Sequence, residues 1–217
     1  SDPEHITAGL AQARQALAEA KEPPTRRLPE VGDGVTPDDA SAEHEAMRAA
    51  HEQARWLQVC PRRFLDASWD WLRSEHGDDT TAQLQTWSAD DQAPNLVMLG
   101  PTGTGKTMSA LLACKEGQLH RGQGIAFYPV AELLDDLRPN GDPTALARLN
   151  AAPRLILDDL GSERPTDWTT ERLGIVVNRR WMEERATIAT SNLAASALKD
   201  AIGDRTYSRL VDSALVV

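Results

Sequence analysis

The segment that most constrains the fold of this chain is an eight-residue glycine-rich stretch near its middle. It reads Gly100-Pro101-Thr102-Gly103-Thr104-Gly105-Lys106-Thr107 and matches the phosphate-binding loop G-x-x-x-x-G-K-[ST] at every fixed position. The apolar run 95–99 before it predicts a buried strand, and the pattern at 107–119 after it predicts a helix. Because glycines let backbone N–H groups close around phosphate oxygens at a helix N-terminus, this arrangement predicts a nucleotide site.

Two side chains of this loop are expected to act individually. The Lys106 ammonium would reach the β- and γ-phosphates, and the Thr107 hydroxyl would bind Mg²⁺. The backbone from Gly100 to Gly105 is expected to surround the nucleotide. An accidental glycine-rich turn is the alternative, and the strand and helix that flank the loop argue against it.

The second half of the chain alternates apolar runs with helical patterns. After the first strand at 95–99, further strands are predicted at 124–128, 154–158, 186–190 and 214–217. Further helices are predicted at 130–138, 143–150, 168–184, 194–201 and 204–211. Alternation of this kind predicts an α/β fold in which helices cover both faces of a parallel sheet.

Two consecutive aspartates end the predicted strand 154–158. Asp158 emerges at the carboxyl end of the run Leu155-Ile156-Leu157, where its carboxylate can hold Mg²⁺ directly or through water. Asp159 stands where many ATPases place a glutamate that polarises the attacking water, and its side chain is one methylene shorter than glutamate. The alternative is a strand that simply ends in an aspartate-rich turn. The preceding phosphate loop favours a catalytic pair of the Walker B type.

A polar triplet, Thr190-Ser191-Asn192, ends the predicted strand 186–190. A side chain at this position can bond to the γ-phosphate or to the attacking water. The alternative is that Ser191 or Asn192 caps the helix that begins near Ala194. Both roles are compatible.

Arg205 and Arg209 are four residues apart and therefore lie on one helix face. An arginine here can reach the ATP site of a neighbouring subunit and stabilise the transferred phosphoryl group. An exposed ion pair, for example of Arg205 with Asp204 or Glu184, is the alternative that spacing leaves open.

The front of the chain is predicted to hold two helices, at 2–22 and from about residue 37 to Val59. The segment 23–37 is rich in proline, glycine and charge and predicts a linker. The second helix has an apolar face, made of Met47, Ala50, Ala54 and Leu57. The two helices would pack on each other or dock on another protein, and both can hold.

Residues 58–94 are predicted to be connecting helices, with Phe64, Leu65, Trp69 and Leu72 on one helical face and a short separate helix at 80–87. The tryptophans of this region could stack on nucleic-acid bases. Acidic neighbours argue against that use and favour core packing for all four, Trp56, Trp69, Trp71 and Trp87.

The net charge of −10 is concentrated in the first half of the chain. Residues 1–94 hold 18 acidic and 9 basic side chains, whereas residues 95–217 hold 15 and 14. A purely electrostatic grip of the front on duplex DNA is therefore not expected. No apolar run approaches the ~20 residues of a membrane span, no signal core follows the acidic start, and the two cysteines suit a reducing cytoplasm.

The order of these motifs, GPTGTGKT, LILDDLG, TIATSNL and GDRTYSRL, resembles the DnaC/IstB group of AAA+ ATPases. The resemblance covers about residues 58–217 and includes the lead-in Cys60-Pro61-Arg62-Arg63-Phe64. It implies ATP and Mg²⁺ as cofactors, with Lys106 and Thr107 as Walker A and Asp158 and Asp159 as Walker B. It also implies Asn192 as sensor 1, Arg209 as the arginine finger and Arg205 as a supporting arginine.

The same resemblance implies the architecture and the partners. It implies a five-stranded parallel sheet in which the Walker B and sensor strands are neighbours near the Walker A strand. It implies ATP-dependent homo-oligomers with sites between subunits, and contact with single-stranded DNA. We expect residues 1–57 to be a helical partner-binding region, 58–94 to connect, and 95–217 to be the ATPase core without an evident helical lid.

The leading functional prediction is an ATPase, slow unless stimulated, that loads a DnaB-type replicative helicase onto single-stranded DNA through residues 1–57. The first alternative is an IstB-like transposition helper that binds duplex DNA. The second is a nucleotide-gated adaptor that hydrolyses slowly because Asp159 replaces glutamate.

Overall fold

The computed structural model of the chain describes residues 37–121 and 124–217. The predicted helix 2–22 and all but the last residue of the predicted linker 23–37 lie outside the described residues. The chain divides into two compact units, Ser1–Glu43 and His44–Val217. The second unit contains the whole sheet, and the site described below lies within it.

Eight helices and five strands follow one another in the described part of the chain. The helices are α1 Pro37–Val59, α2 Trp69–Ala89, α3 Lys106–Arg121, α4 Val130–Asp136, α5 Ala145–Ala151, α6 Asp167–Met182, α7 Ala195–Ile202 and α8 Asp204–Val211. The strands are β1 Leu96–Leu99, β2 Ile125–Pro129, β3 Arg154–Asp158, β4 Thr187–Ser191 and β5 Leu215–Val216. The predicted strands all form, with ends that shift by one or two residues.

The strands form one parallel sheet in the order β2-β3-β4-β1-β5. In the centre of the sheet, Ile156 of β3 pairs with Ile188 of β4, and Val97 of β1 pairs with Ala189 of β4. The predicted five-stranded parallel sheet is confirmed. The strands that end in Asp158 and in Ser191 are neighbours, and β1, which leads into the phosphate loop, lies on the other side of β4.

Alternation along the strands divides the core into two layers. On one face, strand residues pack with α2 and α3 in a cluster that includes Leu72, Leu84, Leu96, Met98, Leu111, Ile156 and Ile188. On the other face, the next residues along the strands pack with the helices from α4 onwards, in a cluster that includes Val97, Leu133, Leu155, Leu157, Leu173, Val176, Ala189 and Leu210. Both faces of the central strands are therefore buried, as a parallel sheet requires.

Helix α1 joins the core through one side only. Trp56 is buried in the first cluster, and Arg55 pairs with the buried Glu52 at 3.5 Å. The predicted apolar face points away from this contact, since Met47 is 72% exposed, Leu57 is 52% exposed, and Ala50 and Ala54 are exposed. The helix also crosses residue 57, the limit that we predict between the partner-binding and connecting regions.

The connecting region differs from its prediction in one respect. A short 3-10 turn at Arg62–Phe64 replaces the first turn of the helical face expected from Phe64 and is followed by α2. The short separate helix expected at 80–87 forms as the second of two helical stretches within α2. Gly77, at φ +83°, breaks the helical geometry inside α2 and kinks it. Trp56 and Trp87 are buried in the first cluster, and Trp69 and Trp71 pack against it, so core packing of the four tryptophans is confirmed.

Candidate nucleotide-binding site

The phosphate loop lies between β1 and α3, at the carboxyl edge of the sheet. Two of its glycines, Gly103 at φ +88° and Gly105 at φ +78°, have the positive φ that other residues rarely adopt. At Gly105 a side chain is also excluded by space, because a Cβ there would lie 2.6 Å from the Trp71 indole. Ser68 caps α2, the helix that carries Trp71, by accepting from the Trp71 backbone N–H at 3.2 Å.

Lys106 folds back onto its own loop. Its Nζ donates to the carbonyl oxygens of Gly100 and Pro101, both at 2.7 Å, and to Oδ1 of Asn192 at 2.9 Å. These carbonyls are the neutral acceptors that phosphate oxygens would replace. Burial lowers the pKa of the Lys106 ammonium, and the nearby Asp159 and Asp158 carboxylates oppose that shift.

Thr107 and Asp158 provide the donor set for a magnesium ion. The Thr107 hydroxyl donates to Oδ1 of Asp158 at 2.7 Å, although 51 residues separate the two in sequence. Adjacent ligands of an octahedral Mg²⁺ at about 2.1 Å lie about 3 Å apart, so these two oxygens have suitable spacing. Hard oxygen donors of this kind are what Mg²⁺ prefers, and the residues therefore fit the ion.

Thr190 is a further member of the site that sequence reasoning named only as part of a polar triplet. Its buried hydroxyl donates to Oδ1 of Asp158 at 2.7 Å and accepts from the Asp159 backbone N–H at 2.9 Å. It therefore orients the first aspartate through its side chain and the second through its backbone. The polar end of β4 was the only signal for it in the sequence.

Asp159 and Asn192 form the second pair of the site. The Asn192 Nδ2 donates to Oδ1 of Asp159, so this amide joins the Walker B carboxylate to the Walker A lysine. The alternative, in which Ser191 or Asn192 caps the next helix, does not occur. Ala194 is the N-cap residue of α7, and no side chain caps that helix. Asp159 itself has φ +61°, a left-handed backbone conformation unusual for a residue other than glycine.

A cavity of about 480 Å³ lies over these groups. The predicted residues that line it are Thr102, Gly103, Gly105, Lys106, Thr107, Asp158, Asp159 and Asn192. Arg63, Phe64 and Trp71 also line it. Arg63 and Phe64 belong to the lead-in segment noted in the sequence, whereas the contact made by Trp71 was missed because it joins α2 to a loop far along the chain.

Arg205 and Arg209 do not line this cavity. The Asn95 side chain donates to the backbone oxygens of Arg209 and Leu210, both at 3.1 Å, so the end of α8 lies beside the start of β1. The phosphate loop follows the other end of β1, and at about 3.3 Å per residue Gly100 lies roughly 16 Å from Asn95. Arg205 is exposed on the first turn of α8.

Comparison with known proteins agrees with this geometry. A family model described as IstB-like ATP binding protein matches residues 38–215. The replicative helicase loader DnaI of Bacillus subtilis is 28% identical over 120 residues, which are 54% of this chain and 39% of that protein. The putative insertion sequence ATP-binding protein y4pL of Sinorhizobium fredii is 32% identical over 152 residues, which are 66% of this chain and 60% of that protein.

Solved structures show the same fold. A crystal structure of the DnaC helicase loader superposes with a TM-score of 0.63 at 23% identity, covering 72% of this chain and 99% of that one. A crystal structure of DnaI gives a TM-score of 0.62 at 22% identity, covering 73% of this chain and 93% of that one. The chain spans half or less of the length of several curated relatives that it matches. No helix in the described residues is long and apolar enough to cross a membrane.

Proposed function

Because this chain belongs to the IstB-like ATP-binding protein family, we propose that it is an ATPase that loads a replicative helicase onto single-stranded DNA. The observation that carries the ATPase part is the hydrogen-bonded chain Lys106–Asn192–Asp159 beside the Thr107–Asp158 pair. It supports the proposal because an ammonium, a carboxylate and two oxygen donors that suit Mg²⁺ line one cavity. The helicase loaders among its relatives support the rest of the proposal.

Five of the residues that line the cavity would each have a part in hydrolysis. Lys106 would exchange the loop carbonyls for the β- and γ-phosphate oxygens, which bind an ammonium more strongly because they are charged. Thr107 and Asp158 would hold Mg²⁺, which supplies positive charge to the phosphates when bound. Asp159 would orient the attacking water and accept its proton, and Asn192 would hold that carboxylate in place.

Arg209 would complete the site of a second copy of this chain. It is too far from its own phosphate loop to reach the nucleotide bound there, and no carboxylate pairs with its guanidinium among the described residues. A cation that is absent from its own site and only partly buried at the opposite edge of the sheet suits action in trans. Such a dependence makes hydrolysis conditional on an ATP-dependent oligomer.

The helicase would bind to residues 1–57, at the apolar stripe that α1 leaves exposed. This stripe consists of Met47, Ala50, Ala54 and Leu57, and no described residue covers it. Exposed apolar residues at helical spacing are typical of a face that packs against a partner. We propose that a helicase helix packs there, that ATP-driven assembly holds the complex on DNA, and that hydrolysis releases it.

The test is retention of a purified DnaB-type replicative helicase by the full-length chain, with and without ATP. We expect retention by the wild type and at least a tenfold weaker complex after Met47→Ser combined with Leu57→Ser. Met182→Ser is the matched control, since Met182 is similarly exposed, at 68%, but belongs to α6. If the wild type retains no helicase with either nucleotide state, the loader proposal fails.

A transposition helper that binds duplex DNA is the second candidate function. The family name and the relative from Sinorhizobium fredii favour it, because that relative is described as an insertion sequence protein. ATP-dependent binding to duplex DNA together with absent helicase retention would establish it. A nucleotide-gated adaptor remains the third candidate, and it predicts no phosphate release at saturating ATP and DNA.

A further inference from the structure

Among the residues that the structure describes, Arg209 contacts an aromatic side chain and pairs with no carboxylate. Its guanidinium carbon lies 5.1 Å from the ring centroid of Trp181, at the end of α6. The indole Nε1 in turn donates to Oδ2 of Asp212 at 2.7 Å, immediately after α8. The carboxylate nearest to the arginine in sequence is therefore engaged by the tryptophan, and Trp181 is still 42% exposed.

This arrangement leaves the N–H donors of the Arg209 guanidinium available to bind a phosphate. A carboxylate would occupy the edge of the guanidinium, where all five N–H donors lie, and would neutralise its charge. The face of an indole attracts the cation without neutralising its charge, so the donors stay available for an anion. Stacking also removes much of the freedom of a long side chain, so less entropy is lost when the donors bind a ligand.

A second arginine–tryptophan pair in the same fold shows the contrast. Arg138 lies 5.6 Å from the ring centroid of Trp168, at the start of α6. Its Nε also donates to Asp135 at 3.0 Å, so this guanidinium is already paired with a carboxylate. Arg209 has no such bond within the described residues. The difference indicates that the Arg209 guanidinium is available to bind an anion of another molecule.

We propose that Trp181 is a positioning residue that presents the Arg209 donors to the nucleotide phosphates of a second copy of this chain. Asp212 fixes the indole through its hydrogen bond. The inference rests on the proposed action of Arg209 in trans, and it assigns to Trp181 a part in the hydrolysis catalysed by the neighbouring subunit. It requires no contact between Trp181 and the nucleotide.

The experiment measures steady-state phosphate release by full-length variants, together with the ATP-dependent oligomer mass by light scattering. Arg209→Ala is expected to lower kcat at least tenfold. Trp181→Leu is expected to lower kcat about two- to fivefold, the factor to which one exposed cation–π contact corresponds, with KM for ATP and the oligomer mass unchanged. Trp181→Phe keeps an aromatic face and is expected to recover most of the loss. Trp168→Leu is the matched control and should leave kcat unchanged.

A mixing experiment tests whether the effect acts between subunits. Lys106→Ala subunits cannot use ATP but carry an intact Trp181 and Arg209, so adding them to Trp181→Leu subunits should raise phosphate release above that of either variant alone. Absence of this rescue, loss of the oligomer in Trp181→Leu, or a kcat like that of Trp168→Leu would each overturn the proposal. If Arg209→Ala leaves kcat unchanged, the proposal that Arg209 acts in trans fails as well. This conclusion does not depend on the outcome of the helicase experiment.

Discussion

The Lys106 ammonium donates a 2.9 Å hydrogen bond to Oδ1 of Asn192, a residue on the neighbouring strand end. Because the same amide donates to Asp159, the Lys106 ammonium and the Asp159 carboxylate share one connecting side chain. An amide can do this since it carries an acceptor and donors on one rigid plane. Movement of Lys106 onto a phosphate would therefore change the hydrogen bonding of Asp159 through Asn192.

Replacement of Asn192 by alanine should affect turnover more than binding. Without the amide, Asp159 loses a donor that holds it in place, and we expect kcat to fall about 100-fold, as for the loss of one preorganised donor elsewhere. The affinity for a fluorescent ATP analogue should change less than threefold. An affinity loss as large as the loss in kcat would show instead that Asn192 mainly binds the ground state.

The left-handed backbone of Asp159 explains why aspartate stands here in place of glutamate. Aspartate and asparagine adopt φ near +60° more readily than longer side chains, which are strained there by about 1 kcal/mol. Asp159→Glu should therefore lower the free energy of unfolding by about 0.5–1 kcal/mol in urea denaturation. Asp159→Asn should keep the stability and abolish phosphate release. A glutamate variant as stable as the wild type would contradict this explanation.

Thr190 should be needed both for stability and for the metal site. Thr190→Val removes the hydroxyl without changing the shape, leaving the Asp159 N–H without its acceptor, at about 1–3 kcal/mol of unfolding free energy. It also frees the Asp158 carboxylate, and Mg²⁺ affinity should fall about tenfold. Mg²⁺ titration of ATP hydrolysis measures the second effect. Thr190→Ser, which keeps the hydroxyl, should restore both quantities, and failure to do so would assign the effect to packing.

Replacement of the buried Arg180 is expected to lower the free energy of unfolding strongly. It is 0% exposed and donates to the backbone oxygens of Leu149, Ala152, Pro153 and Ala186 and to the Thr187 hydroxyl. Burial lowers its pKa to about 10, so it stays charged at neutral pH. Arg180→Met should reduce the free energy of unfolding by about 3–5 kcal/mol.

The neighbouring arginine supplies the control for that measurement. Arg179 is mostly exposed and pairs with Glu183 at 2.6 Å on the helix surface. Arg179→Met should change the unfolding free energy by less than about 1 kcal/mol, because exposed ion pairs contribute little. Similar losses for the two variants would mean that the carbonyl contacts of Arg180 do not determine the stability.

The stability should fall at alkaline pH partly through Cys114. Burial raises the pKa of this thiol to about 12, whereas an unfolded thiol titrates near 9. The folded state therefore keeps the proton longer, so this contribution is fully present below pH 9 and is lost as the pH rises from 9 to about 12.

A comparison with Cys114→Ala isolates this contribution from the other groups that titrate in the same range. The wild-type advantage in unfolding free energy should shrink by up to about 1.4 kcal/mol per pH unit above pH 9. For Cys60, burial raises the thiol pKa to about 11. The wild-type advantage over Cys60→Ala should therefore stop declining about one pH unit lower than the advantage over Cys114→Ala. A pH-independent difference for Cys114→Ala would contradict the prediction.

Local patterns were sufficient for the elements and for most of the site. The phosphate loop, the aspartate pair after an apolar run and the polar end of β4 are each contiguous in sequence. Since the carboxyl ends of parallel strands meet at one edge of a sheet, their residues had to converge once the sheet was predicted. In the sheet, β3 lies beside β4 and β4 lies beside β1. Residues that end or follow these strands therefore come into contact, namely Thr107, Asp158, Thr190 and Asn192.

Three features could be predicted from the residues alone: a phosphate-binding loop, oxygen donors that suit a metal, and a parallel sheet that aligns them. These follow from short-range patterns, because glycine conformations and hydrophobic periodicity act over a few residues. The packing of the fold was needed to show that Thr190 bonds to both aspartates, that Trp71 lies against Gly105, and that Trp181 contacts Arg209. Each of these contacts joins different secondary-structure elements, and only packing fixes which side chains of two distant elements meet.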